Sequence, residues 1–149
     1  FAAQTLSGNG TIVARVASLQ NTNSWAKAGV MIRESPALGS STTSGARHAF
    51  CCVSAANGVA FQRRSTADGA SAHTAGSTAG APRWVKVERS GNLLTGYESA
   101  DGTTWTKVGS VTIAIGSSAR FGLAVTSHAN GTLTTANFDH VSVTPMANN

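Results

Sequence analysis

The sequence predicts an all-β protein, an antiparallel two-sheet jelly-roll sandwich. Three observations carry that expectation. Apolar residues alternate with polar ones through about nine short runs, and no convincing stretch of period 3.6 is present. Asn-Gly pairs at 9–10, 57–58 and 130–131, Ser-Gly-Asn at 90–92 and Asp-Gly at 101–102 separate the runs. These are hairpin chemistries, because Asn, Asp and Gly accept positive φ cheaply. Finally, only 11% of residues are charged, against roughly 25% in an average soluble protein. Helix-favouring lysine and glutamate are scarce, while strand-favouring threonine and valine are plentiful.

Taken in order, TIVARVASL at 11–19 sets Ile12, Ala14 and Val16 against Val13 and Arg15. AKAGVMIRES at 26–35 sets Ala28, Val30 and Ile32 against Gly29, Met31 and Arg33. ARHAFCCVSA at 46–55 is mostly apolar, and GVAFQRRS at 58–65 sets Val59 and Phe61 against Gln62 and Arg64. In RWVKVER at 83–89, Val85 and Val87 oppose Trp84, Lys86 and Glu88. LLTGYES, TTWTKVG, FGLAVTSHA and TLTTANFDHVSVT follow. WVKVER, LLTGYES and TTWTKVG, joined by two tight turns, predict a three-strand meander. The Gly/Ser/Thr/Ala stretches at 39–45 and 66–81 read as longer loops. The 149 residues make one domain, which we assign to 1–145, with 146–149 as a tail. That length buries a core without disulfides or metals.

Several function classes lose support. The net charge of +5 fits an acidic ligand without demanding one. The longest basic run is Arg63-Arg64, without interleaved aromatics, so no nucleic-acid partner is expected. No run approaches the roughly 18 apolar residues of a membrane helix, and no membrane partner is expected. Cys51 and Cys52 are neighbours, which point to opposite faces of a strand; they read as two small buried hydrophobes. The low-charge, Thr/Ser/Asn/Gly-rich style points to a secreted or cell-surface protein.

GNGTIVARVASL, AGVMIRES, ARHAF, NGVAFQRR, SGNLLTGYESADGTTWTKVG and GLAVTSHANGTLTTANFDHVSV together resemble a domain of secreted bacterial polysaccharide-active and cell-surface proteins. It is similar to the concanavalin A-like lectin/glucanase group, near the laminin-G-like domains. The resemblance implies a jelly roll of two curved sheets and an accessory, carbohydrate-binding role. Such domains usually carry a further upstream strand, whereas this chain starts at FAAQTLSG. An upstream segment or a neighbouring chain supplying that edge strand by β-augmentation is therefore expected. Edge-strand donation also frames the alternative function, a structural surface or filament subunit. Lectin-like sandwiches often hold calcium, which needs six to eight oxygens; only Asp139 and loop carbonyls suggest such a site, so no cofactor is expected.

The acids are Glu34, Asp68, Glu88, Glu98, Asp101 and Asp139. None forms the closely spaced acidic motif on one strand that the glucanases of this group show, and no Gly-x-Ser-x-Gly elbow occurs. No enzyme activity is expected. Sugars offer apolar C–H faces fringed by hydroxyls, which proteins meet with flat aromatics and planar polar groups. The non-core face of the middle strands supplies Arg33, Gln62, Arg64, Trp84, Lys86 and Glu88, joined by His128. We expect these seven to line a groove on the concave sheet for a polysaccharide or oligosaccharide, with an acidic or sulfated one favoured by the positive balance. Gly29 and Gly96 would leave room for the ligand. Trp25 caps a loop or stacks on a sugar, and Trp105 packs over its hairpin.

Overall fold

The computed structural model describes residues 2–35, 46–66, 69–127, 131 and 133–146. In chain order its strands are β1 (Ala2–Ser7), β2 (Gly10–Leu19), β3 (Lys27–Glu34), β4 (His48–Ser54), β5 (Val59–Arg64), β6 (Ala72–Ala75), β7 (Arg83–Ser90), β8 (Leu93–Ser99), β9 (Thr106–Thr112), β10 (Ser118–Thr126) and β11 (Ala136–Pro145). They form two antiparallel sheets, a six-stranded one in the order β1-β10-β3-β4-β5-β6 and a five-stranded one in the order β11-β2-β7-β8-β9. This is the two-sheet sandwich that the alternation predicts.

The turns at 57–58, 90–92 and 101–102 follow the residues predicted to make them, whereas before β2 the positive φ falls on Gly8 and not on Asn9-Gly10, of which Gly10 already begins the strand. Gly91 (φ 61°) closes β7 onto β8, and Gly102 (φ 79°) turns the chain between β8 and β9. In the second turn Asp101 Oδ1 accepts hydrogen bonds from the Thr103 and Thr104 amides, each 2.9 Å. Those amides, then the Ser99 and Thr103 side chains, hold the Asp101 carboxyl well below its usual range. Strands β7, β8 and β9 form the predicted meander.

Two strands leave no mark in the alternation. Ala2–Ser7 pairs with β10 and lies at the edge of the six-stranded sheet. Ala72–Ala75, inside the stretch read as a loop, pairs with β5 at the opposite edge. Both are exposed along most of their length. An edge strand that buries neither face is not held to period 2, so composition alone hides it.

The core lies between the sheets. Ile12, Ala14 and Val16 from β2 and Val85 and Val87 from β7 meet Val30, Ile32, Val53, Phe61 and Phe121 from the six-stranded sheet, all fully or almost fully buried. Phe61 crosses the gap into a slot made by two glycines. Gly96 and Gly109 pair with each other across β8 and β9. A Cβ on Gly96 would lie 2.5 Å from the Phe61 ring, and one on Gly109 would lie 3.1 Å from it. Gly96 therefore makes room for a core phenylalanine rather than for a ligand. Gly29 does not open space either: a Cβ there would strike Cys51 O and lie 2.6 Å from Cys52 Cα, on the backbone of β4.

Charge closes both ends of the core. Arg83 and Arg89 flank Val85 and Val87 on the inward face of β7. Arg83 NH2 donates to Glu98 Oε1 at 2.6 Å, and Ser77 gives the same carboxylate its amide at 2.7 Å and its hydroxyl. Arg89 donates to the carbonyls of Gly91 and Gly116. Cys51 faces the main core and Cys52 the opposite face; both are buried free thiols.

Candidate functional site

Strand register builds a basic row across the outer face of the six-stranded sheet. Arg120 on β10 lies opposite Arg33 on β3, Arg33 opposite His48 on β4, and His48 opposite Arg64 on β5. Directly opposed residues share a face, and their chain neighbours Ala119, Phe121, Ile32 and Ala49 point the other way into the core. The next row is Gly122, Met31, Phe50, Gln62 and His73, and the one after it is Ala124, Gly29, Cys52, Ala60 and Ala75. Phe50, Cys52 and Ala60, with Met31 and Ala124 packed against them, form an apolar patch separate from the main core.

A groove of about 500 Å³ opens here, lined by Met31, Phe50, Ala124, Val125 and Thr126 and by Arg33, His48, Gln62 and Arg64. Gln62 joins it to a second hollow of about 240 Å³, lined by Trp25, Lys27, Gln62 and His73. Gln62 Oε1 accepts from Lys27 Nζ at 3.3 Å, and its amide nitrogen donates to His73 Nδ1 at 3.2 Å. The Trp25 ring meets His73 edge-on, with centroids 5.5 Å apart. Trp25, which the sequence left between a loop cap and a sugar contact, thus stands at one end of the face that bears the groove.

The groups in the groove are set by burial and by each other. Burial, then the Arg120 charge, lowers the Arg33 pKa. Burial also pushes His48 below the usual imidazole value; the Ala46 carbonyl opposes that, and Arg64 and Arg33 reinforce it. His48 Nδ1 is 3.2 Å from that carbonyl. A carbonyl only accepts, so Nδ1 carries the proton and Nε2 of the neutral ring is an acceptor. Arg64 Nε donates to Gly69 O at 3.0 Å, which takes one of its five N–H donors. The groove therefore combines an apolar patch with planar, fork-shaped donors and an amide. Such a set packs against a ring and pairs with adjacent oxygens.

Of the seven residues predicted for the site, the structure brings together Arg33, Gln62 and Arg64. His128 lies outside the described residues. Trp84, Lys86 and Glu88 share one face, as predicted, but that face is the outside of the other sheet. The alternation places residues on a face of their own strand; it does not say which sheet the strand joins. Trp84 and Lys86 are also engaged locally. Trp84 stacks at a tilt on His140, with centroids 5.1 Å apart, and covers Gly102. A β-bulge between Asp139 and Ser142, with His140 at φ 52°, turns that imidazole onto the indole. Lys86 does not pair with Glu88: its Nζ sits 4.7 Å from the centre of the Tyr97 ring and 4.4 Å from that of Trp105. Trp105 packs over its hairpin as expected.

The sequence reading missed His48, Phe50, Met31 and Arg120. HAFCCV is apolar on both faces, so its alternation is nearly silent. The available signal was pairing: Arg33, His48 and Arg64 each end a run that must lie beside the others if the three strands are neighbours.

No protein-family model matches the chain, and no curated protein matches it. Solved structures do. A functionally unknown protein from Saccharomyces cerevisiae superposes with a TM-score of 0.73 at 16% identity, over 99% of this chain and 75% of that one. The GH43 protein BlXynB of Bacillus licheniformis superposes at 0.67 and 16% identity, over 93% of this chain but only 28% of that one. Carbohydrate binding module CBM66 of Bacillus subtilis gives 0.60 at 15% identity, over 95% of this chain and 77% of that one. The chain is similar to these proteins in fold, that of an antiparallel β-sandwich.

Proposed function

We propose that this chain is a non-catalytic carbohydrate-binding module of a secreted polysaccharide-active protein, and that it takes a saccharide into the groove on the outer face of the six-stranded sheet. The observation that carries the reading is the groove itself, an apolar patch of Met31, Phe50 and Ala124 set among Arg33, His48, Gln62 and Arg64. The patch suits the C–H face of a sugar, and the guanidinium and amide groups suit its paired oxygens. Likeness to a carbohydrate-binding module supports the reading, and so does a match covering only part of a larger GH43 chain, as an accessory module would.

The carboxylates support the non-catalytic part. Glycosidases need two carboxyl groups roughly 5 Å or 6.5–9.5 Å apart across the scissile bond. Among the described acids, Glu34 pairs with Arg47, Glu98 with Arg83 and Asp139 with Arg15. Asp101 serves its own turn, and Glu88 lies on the other sheet. None lines the groove.

Affinity electrophoresis against neutral and acidic polysaccharides tests the proposal. Arg64→Ala and Gln62→Ala are each expected to weaken binding about tenfold or more, the size of a lost hydrogen bond to a charged or well-placed group. Trp84→Ala is expected to bind like the parent. Binding lost with Trp84→Ala but kept in the two groove variants would move the site to the other sheet.

A further inference from the structure

We infer that the groove selects a saccharide bearing a carboxylate or sulfate group, which the row Arg120–Arg33–His48–Arg64 receives at one end of the site. This rests on the sugar-binding reading above and narrows its substrate class. The first ground is the row. Three guanidinium groups and an imidazole stand opposite one another on four adjacent strands, which lie roughly 5 Å apart. Like charges set directly across a sheet destabilise it. An anion between two of these strands would convert that repulsion into charge-assisted, fork-shaped hydrogen bonds. A neutral sugar would displace water from the same groups and return less.

The second ground is where the protein's own carboxylates are. The five described ones are held on other faces, four of them in ion pairs or in a turn; Asp68 lies outside the described residues. The third ground is the layout of the face along β3. Arg33 stands at one end, within the basic row. Toward the other end lies the hollow of Trp25, where the Lys27 ammonium reaches back to Gln62, which lines both hollows. A chain bound along the strand would place its acidic group at the arginines and stack a further ring near Trp25.

His48 makes the recognition depend on pH. The charged groups facing it are Arg33 from β3 and Arg64 from β5, with Arg120 one strand beyond on β10; these oppose protonation. A bound anion favours it, and by reciprocity protonation favours the anion. Nε2 then becomes a donor. Affinity for an anion is expected to rise as pH falls through the His48 pKa, which lies below 6.5. A sulfate ester stays ionised over that range, so a rise would come from the protein.

The test uses matched pairs by calorimetry at physiological salt: dextran sulfate against dextran, and polygalacturonate against its methyl ester. Parent protein, Arg120→Ala, Arg64→Ala and Lys107→Ala are compared; Lys107 is exposed on β9 of the other sheet and removes the same charge. The inference expects the acidic member of at least one pair to bind at least tenfold more tightly. It also expects that preference to fall severalfold in both arginine variants but not in Lys107→Ala, and dextran sulfate binding to strengthen from pH 7.5 to 5.5 only while His48 is present, as His48→Gln would show. Preference for the sulfated pair alone, or the carboxylated pair alone, identifies the group. Equal binding of both members through the groove overturns the acidic selection and leaves the sugar-binding reading standing. Equal loss in Lys107→Ala overturns it as non-specific attraction. Binding of no saccharide overturns both.

Discussion

Replacing Phe61 with alanine is expected to lower the free energy of unfolding by about 3–5 kcal/mol, measured by chemical denaturation. Phe61 is fully buried, and its ring reaches from the six-stranded sheet into the slot between Gly96 and Gly109. Removing it discards the apolar area and leaves a cavity walled by two residues with no side chain to collapse into it. Each sheet is rigid along its ladders, so the slot cannot close without moving backbone. The complementary change, Gly96→Val, drives a branched side chain into the ring and is expected to cost about 1–3 kcal/mol through overpacking. A Phe61→Ala loss below about 1 kcal/mol would mean that the sheets do not interlock here.

Glu98→Ala is expected to cost a similar amount, about 3–5 kcal/mol, because it leaves a largely buried Arg83 without its counter-charge. The Ser77 amide and hydroxyl lose their acceptor as well. Glu98→Gln keeps the shape and one acceptor but not the charge, and is expected to fall between alanine and the parent. Acid should act like these variants. Burial raises the Glu98 pKa, but the Ser77 hydrogen bonds and Arg83 outweigh it and leave the group below its usual value of 4.5. A carboxyl depressed in the folded state contributes stability above its unfolded pKa and loses it as pH falls through the folded one. The Glu98 contribution therefore disappears below about pH 4.5. His48 acts higher: its folded pKa is also depressed, the unfolded chain binds the proton more readily, and stability drops as pH falls from about 6.5 toward the folded value. Thermal melts of the parent, Glu98→Gln and His48→Gln across pH 3–8 separate the two. A parent curve flat from pH 7 to 5 would contradict the His48 assignment.

How far the fold was legible depends on the range of the interactions that make it. The β7–β8–β9 meander is local: Gly91 and Gly102 turn where Ser-Gly-Asn and Asp-Gly stand, and Val85 and Val87 face inward as alternation requires. Pairings such as β10 with β3, β11 with β2 and β2 with β7 join distant segments, and nothing in a period of two encodes them. That is why the faces of Arg33, Gln62, Arg64 and Trp84 were each read correctly while Trp84, Lys86 and Glu88 were placed on the wrong sheet. At Lys86 two aromatic rings hold the ammonium, although Glu88 stands on the same face of the strand. Glycine was misleading: an absent side chain signals that something else is close, and at Gly29 and Gly96 it is protein. His48 was hidden because β4 is apolar on both faces, one toward the main core and one toward the groove.

The central claim is that a saccharide occupies the groove on the six-stranded sheet. Titrating isotopically labelled protein with the best-binding glycan, and following amide and side-chain resonances by NMR, tests it most directly. The account predicts saturable shifts at Met31, Arg33, His48, Phe50, Gln62 and Arg64, extending to the Trp25 indole for longer chains, with the β7–β9 face unchanged. Shifts centred on Trp84, Tyr97 and Trp105, with the groove silent, would contradict it.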